Sequence, residues 1–191
     1  MKKLLFIACV VILLVLARDH ADQSGLTEKA SGAARSATLP FKIAWLSMKK
    51  PDSKLVVPVE GVSAERIRDS WHEPRSGNRL HEGQDIFARR GTAVRSATEG
   101  YVSRVGESSL GGKSVFVAGA GGRHYYYAHL DDYVVGLAVG DYVTPETVLG
   151  YVGTTGNAVG SPPHLHFGVY TVSGAIDPLP LLADRSSRGG M

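Results

Sequence analysis

The sequence predicts a mostly-β domain built on an antiparallel sheet, and three observations carry that expectation. Glycine supplies 23 of the 191 residues, well above a usual share of about 7%. Short β-branched and aromatic runs recur at close spacing, with glycine-bearing turns between most of them. No helical segments alternate with these runs, which favours antiparallel pairing over βαβ units. An apolar fraction of 43% and a charged fraction of 20% are ordinary for a globular chain. The length gives room for one domain with a sizeable core, plus some tail.

The chain opens "MKKLLFIACVVILLVLARDH". Two lysines precede an unbroken apolar run over residues 4–17, and Val15-Leu16-Ala17 resembles a small-residue cleavage site. The run is short against the roughly 20 residues of a membrane span. Residues 1–17 are therefore read as a cleaved export signal, with an uncleaved membrane anchor as the alternative. Cys9, the one cysteine, would leave with the signal, so the mature chain would hold no disulfide. Residues 18–40 show no apolar period and are rich in Ala, Ser and Gly, the composition of a flexible linker. "FKIAWLSM" (41–48) reads equally as a short strand or a membrane-proximal patch. The linker or arm is taken to end at residue 54, where "LVVPVEG" changes the composition.

A single domain is expected over residues 55–183. Its strands are "GQDIFA", "GYVSRVG", "SVFVAG", "RHYYYAHL", "DYV", "VLGYVG" and "PHLHFGVY", and only "SAERIRDSW" looks helical. Residues 184–191 read as a frayed tail. Charge is unevenly placed. Residues 1–54 carry nine Lys/Arg against four Asp/Glu, whereas residues 55–183 carry ten against thirteen. The basic part suits an anionic membrane surface; the folded part has no basic stripe, which argues against nucleic-acid binding.

The chemistry-bearing residues lie in three segments. In "SPPHLHFGVY" strand alternation puts Leu165, Phe167 and Val169 on one face and His164, His166 and Tyr170 on the other. In "NRLHEGQDIFARRGTAV", His81 and Asp85 stand four apart, about 13 Å in a straight strand, and Gly83 permits a bend that joins them. Glu82 would point away from that bend. In "RHYYYAHL", alternation groups Tyr125, Tyr127 and His129 on one face, with His124 a surface residue. With no cysteine in the mature chain, histidine and carboxylate are the available metal ligands.

His81-x-x-x-Asp85, then Ala128-His129-Leu130, then His164-x-His166 resembles the lysostaphin/LytM-type zinc metallopeptidases. The likeness extends over roughly residues 56–182, through "HEGQDIFARRGTAVRSATEGYV", "GGKSVFVAGAGGRHYYYAHL", "VGDYVTPETVLGYVGTTGNA", "PPHLHFGVY" and "GAIDPLPLL", in the family's order. Gln84 stands where such sequences often carry an aliphatic residue, and Gly168 where a Glu is common. The resemblance implies an antiparallel peptidase domain with a shallow groove, one Zn2+ held by His81, Asp85 and His166, and His129 and His164 acting on the substrate and the attacking water.

Two neutral imidazoles and one carboxylate would leave zinc with a +1 site and an open position, as in catalytic sites. Bound water then reaches a pKa near 7. No H-E-x-x-H helix supplies a glutamate base, so histidine is expected to serve. His164 is assigned to the water and His129 to polarising the carbonyl or relaying the proton, in roles that could be exchanged; Tyr127 is a weaker candidate for substrate contact. The implied reaction is hydrolysis of peptide cross-links in bacterial peptidoglycan. The expected location is the periplasm or the outer face of the cytoplasmic membrane. A D-alanyl link to diaminopimelate is the first guess for the bond cut, with a glycine bridge as the other, and the sequence names no activator. The competing readings are a non-catalytic cell-wall-binding regulator of another hydrolase and a biotin- or lipoate-carrier domain. The carrier reading fails because no lysine follows Lys113.

Overall fold

The computed structural model describes residues 26–75 and 77–185. The apolar leader lies outside the described residues, as does most of the tail. Among the described residues no helix is long and apolar enough to cross a membrane.

Of the Ala- and Ser-rich stretch taken as linker, residues 18–25 lie outside the described residues and the rest is helical: α1 spans Leu26–Ser47 and takes in most of "FKIAWLSM" as well. Alanine is the strongest helix former, so a segment with no apolar period can still be helical. The chain divides into two compact units after Thr38. In the second, Leu39 and Leu46 of α1 are buried, whereas Phe41, Trp45 and Met48 are exposed. The Lys42 ammonium sits 5.0 Å from the Tyr101 ring.

Thirteen short strands follow among the described residues: β1 Leu55–Val56, β2 Pro74–Arg75, β3 Arg79–Leu80, β4 Gln84–Phe87, β5 Ala93–Arg95, β6 Gly100–Ser108, β7 Gly112–Ala118, β8 His124–Tyr133, β9 Tyr142–Val143, β10 Val148–Val152, β11 His164–Thr171, β12 Gly174–Ile176 and β13 Leu182–Ala183. Nine of them form one sheet in which every pairing is antiparallel, as expected. Its main path runs β12-β11-β8-β7-β6-β9; β4 pairs with β11, and β10 joins β8 to β5. "SAERIRDSW" contributes only a single 3-10 turn, Ala64–Arg66. Asp184 and Arg185, read as the start of a frayed tail, are tied down: Ala64 N donates to Asp184 Oδ1 (2.6 Å), and Arg185 Nη1 to the Pro145 carbonyl (2.7 Å).

Leu165, Phe167 and Val169 of β11 are all fully buried, together with Tyr125 and Tyr127 of β8, Ile86 of β4 and Val115 and Val117 of β7. This is the core face of the sheet. The alternation read for β11 therefore holds, and the opposite face is left to His164, His166 and Tyr170.

Strand β8 is less regular. Lys113 of β7 pairs with Leu130 and Val115 with Tyr127, so two residues on β7 span three on β8. The extra residue is a bulge at Ala128–His129, and His129 takes φ 63°, a left-handed conformation that costs a non-glycine residue energy. The bulge turns His129 away from the core face that alternation gave it. It joins the face of Tyr126 and Ala128, while Tyr127 stays in the core with its hydroxyl accepting the Ala97 N–H (2.9 Å). Tyr127 is thus a packing residue, and the tyrosine facing the histidines is Tyr126.

Candidate metal centre and groove

Strand pairing explains how the site assembles. His166 of β11 lies directly opposite Asp85 of β4 in the ladder, and opposite side chains share a face and approach closely. His81 arrives from the connection between β3 and β4. Gly83 serves this approach through its missing side chain: a Cβ there would lie 2.6 Å from His166 Cε1 and 2.7 Å from the Phe167 carbonyl oxygen. Close packing against the His166 ring, more than a bend, is what requires glycine.

His81, Asp85 and His166 place one ligand atom each within 4.8 Å of one another, the group among the described residues able to hold a metal. His81 Nε2 is 2.8 Å from His166 Nδ1 and 3.0 Å from Asp85 Oδ1, and His166 Nδ1 is 3.2 Å from the same oxygen. His81 Nδ1 donates to the Ser70 carbonyl at 2.7 Å. A carbonyl can only accept, so that nitrogen carries the proton and Nε2 of the neutral ring presents its lone pair. Two ring nitrogens and a carboxylate oxygen thus converge with at most one proton to share. Such a cluster fits a cation, and ligand atoms around a tetrahedral zinc stand about 3.3 Å apart. The donor set is the two-imidazole, one-carboxylate set of catalytic zinc sites. Glu82 is outside this group and lines the groove rim.

Gln84, the residue that departs from an aliphatic pattern, is fully buried and bonded throughout. Its Oε1 accepts from Ser70 N (2.9 Å) and Ser70 Oγ (3.0 Å), while Nε2 donates to Asp69 Oδ1 (3.0 Å) and Asp177 Oδ1 (3.1 Å). Ser70 Oγ in turn accepts from Asp85 N (3.0 Å). Gln84 therefore fixes the segment whose carbonyl sets the His81 tautomer. Asp85 also meets Arg75, whose Nη2 is 2.5 Å from Oδ2, the oxygen facing away from the histidines.

His129 and His164 stand over the same groove, a cavity of about 610 Å³ that both line together with His81, Asp85 and His166. Their rings are 5.1 Å apart, edge to face. His129 Nδ1 donates to the Thr155 carbonyl (2.9 Å) and His164 Nδ1 to the Pro162 carbonyl (2.8 Å). By the same carbonyl argument both rings, when neutral, offer Nε2 as an acceptor. His164 Nε2 lies 3.9 Å from Asp85 Oδ1.

Electrostatics keep Asp85 and His166 in their binding forms. Burial would push the Asp85 carboxyl up, but hydrogen bonds from His166 and His81 outweigh it and hold it well below the ordinary carboxylate range. Burial, with the neighbouring rings, lowers His166 against the pull of Asp85. His129 falls to about 4, through burial first and the nearby His166 and His164 second.

All five sequence-selected residues meet in this groove. Tyr126, Tyr170 and Arg75 also line it and were not foreseen as site residues. The β8 register holds the signal for the first: Phe167 pairs with Tyr127, so any residue opposite the core-bound Phe167 is itself in the core and its neighbour is outside.

Comparison with known proteins agrees with this geometry. Residues 79–178 match the model of peptidase family M23. The chain is 36% identical over 126 residues to an L-Ala–D-Glu endopeptidase of Bacillus subtilis, covering 60% of this chain and 39% of that protein. It is 35% identical over 108 residues to the glycyl-glycine endopeptidase ALE-1 of Staphylococcus capitis, covering 53% and 29%. The chain thus spans well under two thirds of the length of these curated relatives. Among solved structures, the catalytic domain of the antimicrobial peptidase lysostaphin from Staphylococcus simulans superposes with a TM-score of 0.54 at 29% identity, over 61% of this chain and 92% of that one.

Proposed function

Because the chain belongs to peptidase family M23, we propose that it is a zinc-dependent metalloendopeptidase that hydrolyses peptide cross-links of bacterial peptidoglycan. The observation that carries this reading is the arrangement of five side chains on one groove: three converging ligand atoms, and two further imidazoles whose Nδ1 atoms are tied to backbone carbonyls. The endopeptidase relatives supply the substrate class.

Zinc held by His81, Asp85 and His166 would supply a Lewis acid for the scissile carbonyl and a bound water ionising near pH 7. The protein's own groups move the protons. His164 Nε2, the ring nitrogen not tied to a carbonyl and 3.9 Å from the ligand oxygen of Asp85, takes the proton of the attacking water. His129, lowered to about 4, is neutral before reaction and has no N–H aimed into the groove. It therefore cannot polarise the carbonyl until a proton reaches Nε2. That favours the relay role: a proton received at His129 Nε2 is held weakly and passes readily to the leaving amine.

The proposed location is the cell envelope, with the N-terminal segment as a signal or anchor at the cytoplasmic membrane. The exposed aromatics Phe41 and Trp45 of α1, with the exposed Lys49 and Lys50 just after it, suit a membrane-near position. Mass analysis of muropeptides after digestion of purified peptidoglycan, with and without chelator, tests the activity and reports the bond cut. Protein that binds zinc stoichiometrically yet releases no muropeptide would refute the enzyme and favour a wall-binding regulator.

A further inference from the structure

We propose that Arg75 recognises a free carboxylate on the residue next to the scissile amide, so that the groove selects cross-links keeping such a carboxylate over neutral glycine bridges. The proposal rests on the peptidase reading above and names the substrate class within it.

Arg75 is the last residue of β2, on the two-stranded hairpin at the groove mouth. Its guanidinium donates from Nη2 to Asp85 Oδ2 (2.5 Å) and helps lower the nearby Glu73 carboxyl, and the side chain is 36% exposed. A guanidinium has five N–H donors in a planar fork. The contact to Asp85 engages one of its nitrogens, which leaves further donors on a side chain that lines the cavity.

The opposite strand adds a second cation. Arg75 pairs directly with Arg79 across the hairpin, and Arg79 lines the same cavity. Of the charged side chains lining the cavity, Arg75 and Arg79 stand on the hairpin, and Asp85 and Glu82 are the carboxylates. Glu82 lies on the Tyr170 side, where its charge helps burial raise the Tyr170 hydroxyl. The hairpin side is left favourable to an anion.

Distance then fixes which residue of the substrate carries that anion. Arg75 is one carboxylate away from the ligand atoms, since Asp85 offers Oδ1 to the histidines and Oδ2 to the guanidinium. One residue of extended chain, about 3.5 Å, and one hydrogen bond, about 2.9 Å, cover that span. The anion belongs to an immediate neighbour of the cleaved bond. In a γ-linked glutamate, or a diamino acid joined through one amine, the carbon bearing the scissile nitrogen keeps its own carboxylate. In a glycine bridge every backbone carboxyl is already an amide, and none is available.

The test uses the zinc-loaded full chain and two synthetic cross-link peptides. They are identical except that the carboxylate beside the scissile amide is free in one and a carboxamide in the other; pentaglycine is the third substrate. Wild type is expected to favour the free acid by on the order of tenfold to a hundredfold in kcat/KM, chiefly through KM, as for loss of a charge-assisted hydrogen bond. Arg75→Gln should bring the ratio of the two peptides close to one, and Arg75→Lys should restore part of it. Calorimetry of the free-acid peptide with His129→Ala protein should show the same preference without turnover. If Arg75→Gln slows both peptides in parallel and keeps their ratio, Arg75 only positions Asp85 and the proposal is overturned. Equal cleavage of acid and amide by wild type overturns it too, with the peptidase reading intact. If wild type cleaves none of the three substrates, the peptidase reading falls with it.

Discussion

Strands β11 and β8 both deliver histidines to the groove, by different means. In β11 the ordinary pleat does the work: Leu165, Phe167 and Val169 go to the core, and His164 and His166 follow to the other face. In β8 the pleat would send His129 into the core beside Tyr127, and a left-handed bulge redirects it. A bulge residue at positive φ costs on the order of 1 kcal/mol, so its surroundings must hold it. His129 N donates to the Gly111 carbonyl at 2.8 Å, and its Nδ1 to the Thr155 carbonyl. Thr155 Oγ1 donates to the Leu130 carbonyl (2.8 Å) and accepts Lys113 N (2.9 Å). Gly112 makes room, since a Cβ there would fall 2.2 Å from Thr155 Oγ1. His166 and Asp85, set by a ladder, tolerate distant change; His81 and His129, set by loop contacts, depend on residues that never touch substrate.

The largest expected effects separate the two groups of histidines. His81→Ala, Asp85→Ala and His166→Ala should each lose zinc and activity together, because each removes a ligand atom from a cluster of three. His129→Ala and His164→Ala should abolish turnover and retain most of the metal. Metal content by mass spectrometry beside muropeptide release reads both quantities. Equal zinc loss in all five variants would erase the distinction.

Gln84→Leu comes next. It strips four hydrogen bonds from a fully buried position and leaves Ser70 N without its acceptor. The expected cost is about 2–4 kcal/mol in urea unfolding. Zinc affinity should also fall by tenfold or more, because the carbonyl that orients His81 is no longer fixed. A variant as stable as wild type would show that the network around Ser70 is dispensable.

Thr155→Val probes the β8 side alone. It keeps the shape and removes the hydroxyl that bridges Lys113 and Leu130. Stability should drop by about 1–2 kcal/mol and kcat by roughly tenfold as His129 loses its fixed place, with zinc content unchanged. If zinc is lost instead, the bulge and the metal ladder are one unit and the contrast between them fails.

These differences also decide what was legible in the sequence. A period of two reads any regular strand, and so β11 gave up its core face and its histidine face from ten letters. The same rule misplaced Tyr127, because a bulge is one inserted residue with no letter of its own; His129 is an unusual occupant of a left-handed position. The helix over 26–47 escaped for another reason. Its buried contacts in the second unit, Leu39 and Leu46, are too sparse to write a period into an Ala-Ser-Gly background. Gln84 looked like a departure from pattern, and only the neighbouring Asp69, Ser70 and Asp177 show why an amide belongs there. Arg75 reaches Asp85 from a hairpin whose strands are two residues each, too short to be read as strands at all.

The smallest expected effect is a dependence of stability on pH that belongs to the bulge. His129 is lowered to about 4 by burial and by the neighbouring His166 and His164, against about 6.5 in an unfolded chain. Between those values the unfolded chain binds a proton that the folded chain refuses, so stability must fall as pH drops from about 6.5 to 4. The full difference amounts to about 3 kcal/mol at most. Lowered His166 adds a change of the same sign, whereas Asp85, held far down, contributes only below the ordinary carboxylate range. Thermal melts of chelator-treated protein at pH 7, 6, 5 and 4 should therefore slope downward. His129→Gln, which cannot titrate, should flatten part of that slope and leave the remainder to His166. An unchanged slope in His129→Gln would mean that the bulge does not seal His129 from water, and β8 would then hold its histidine no more tightly than a surface loop.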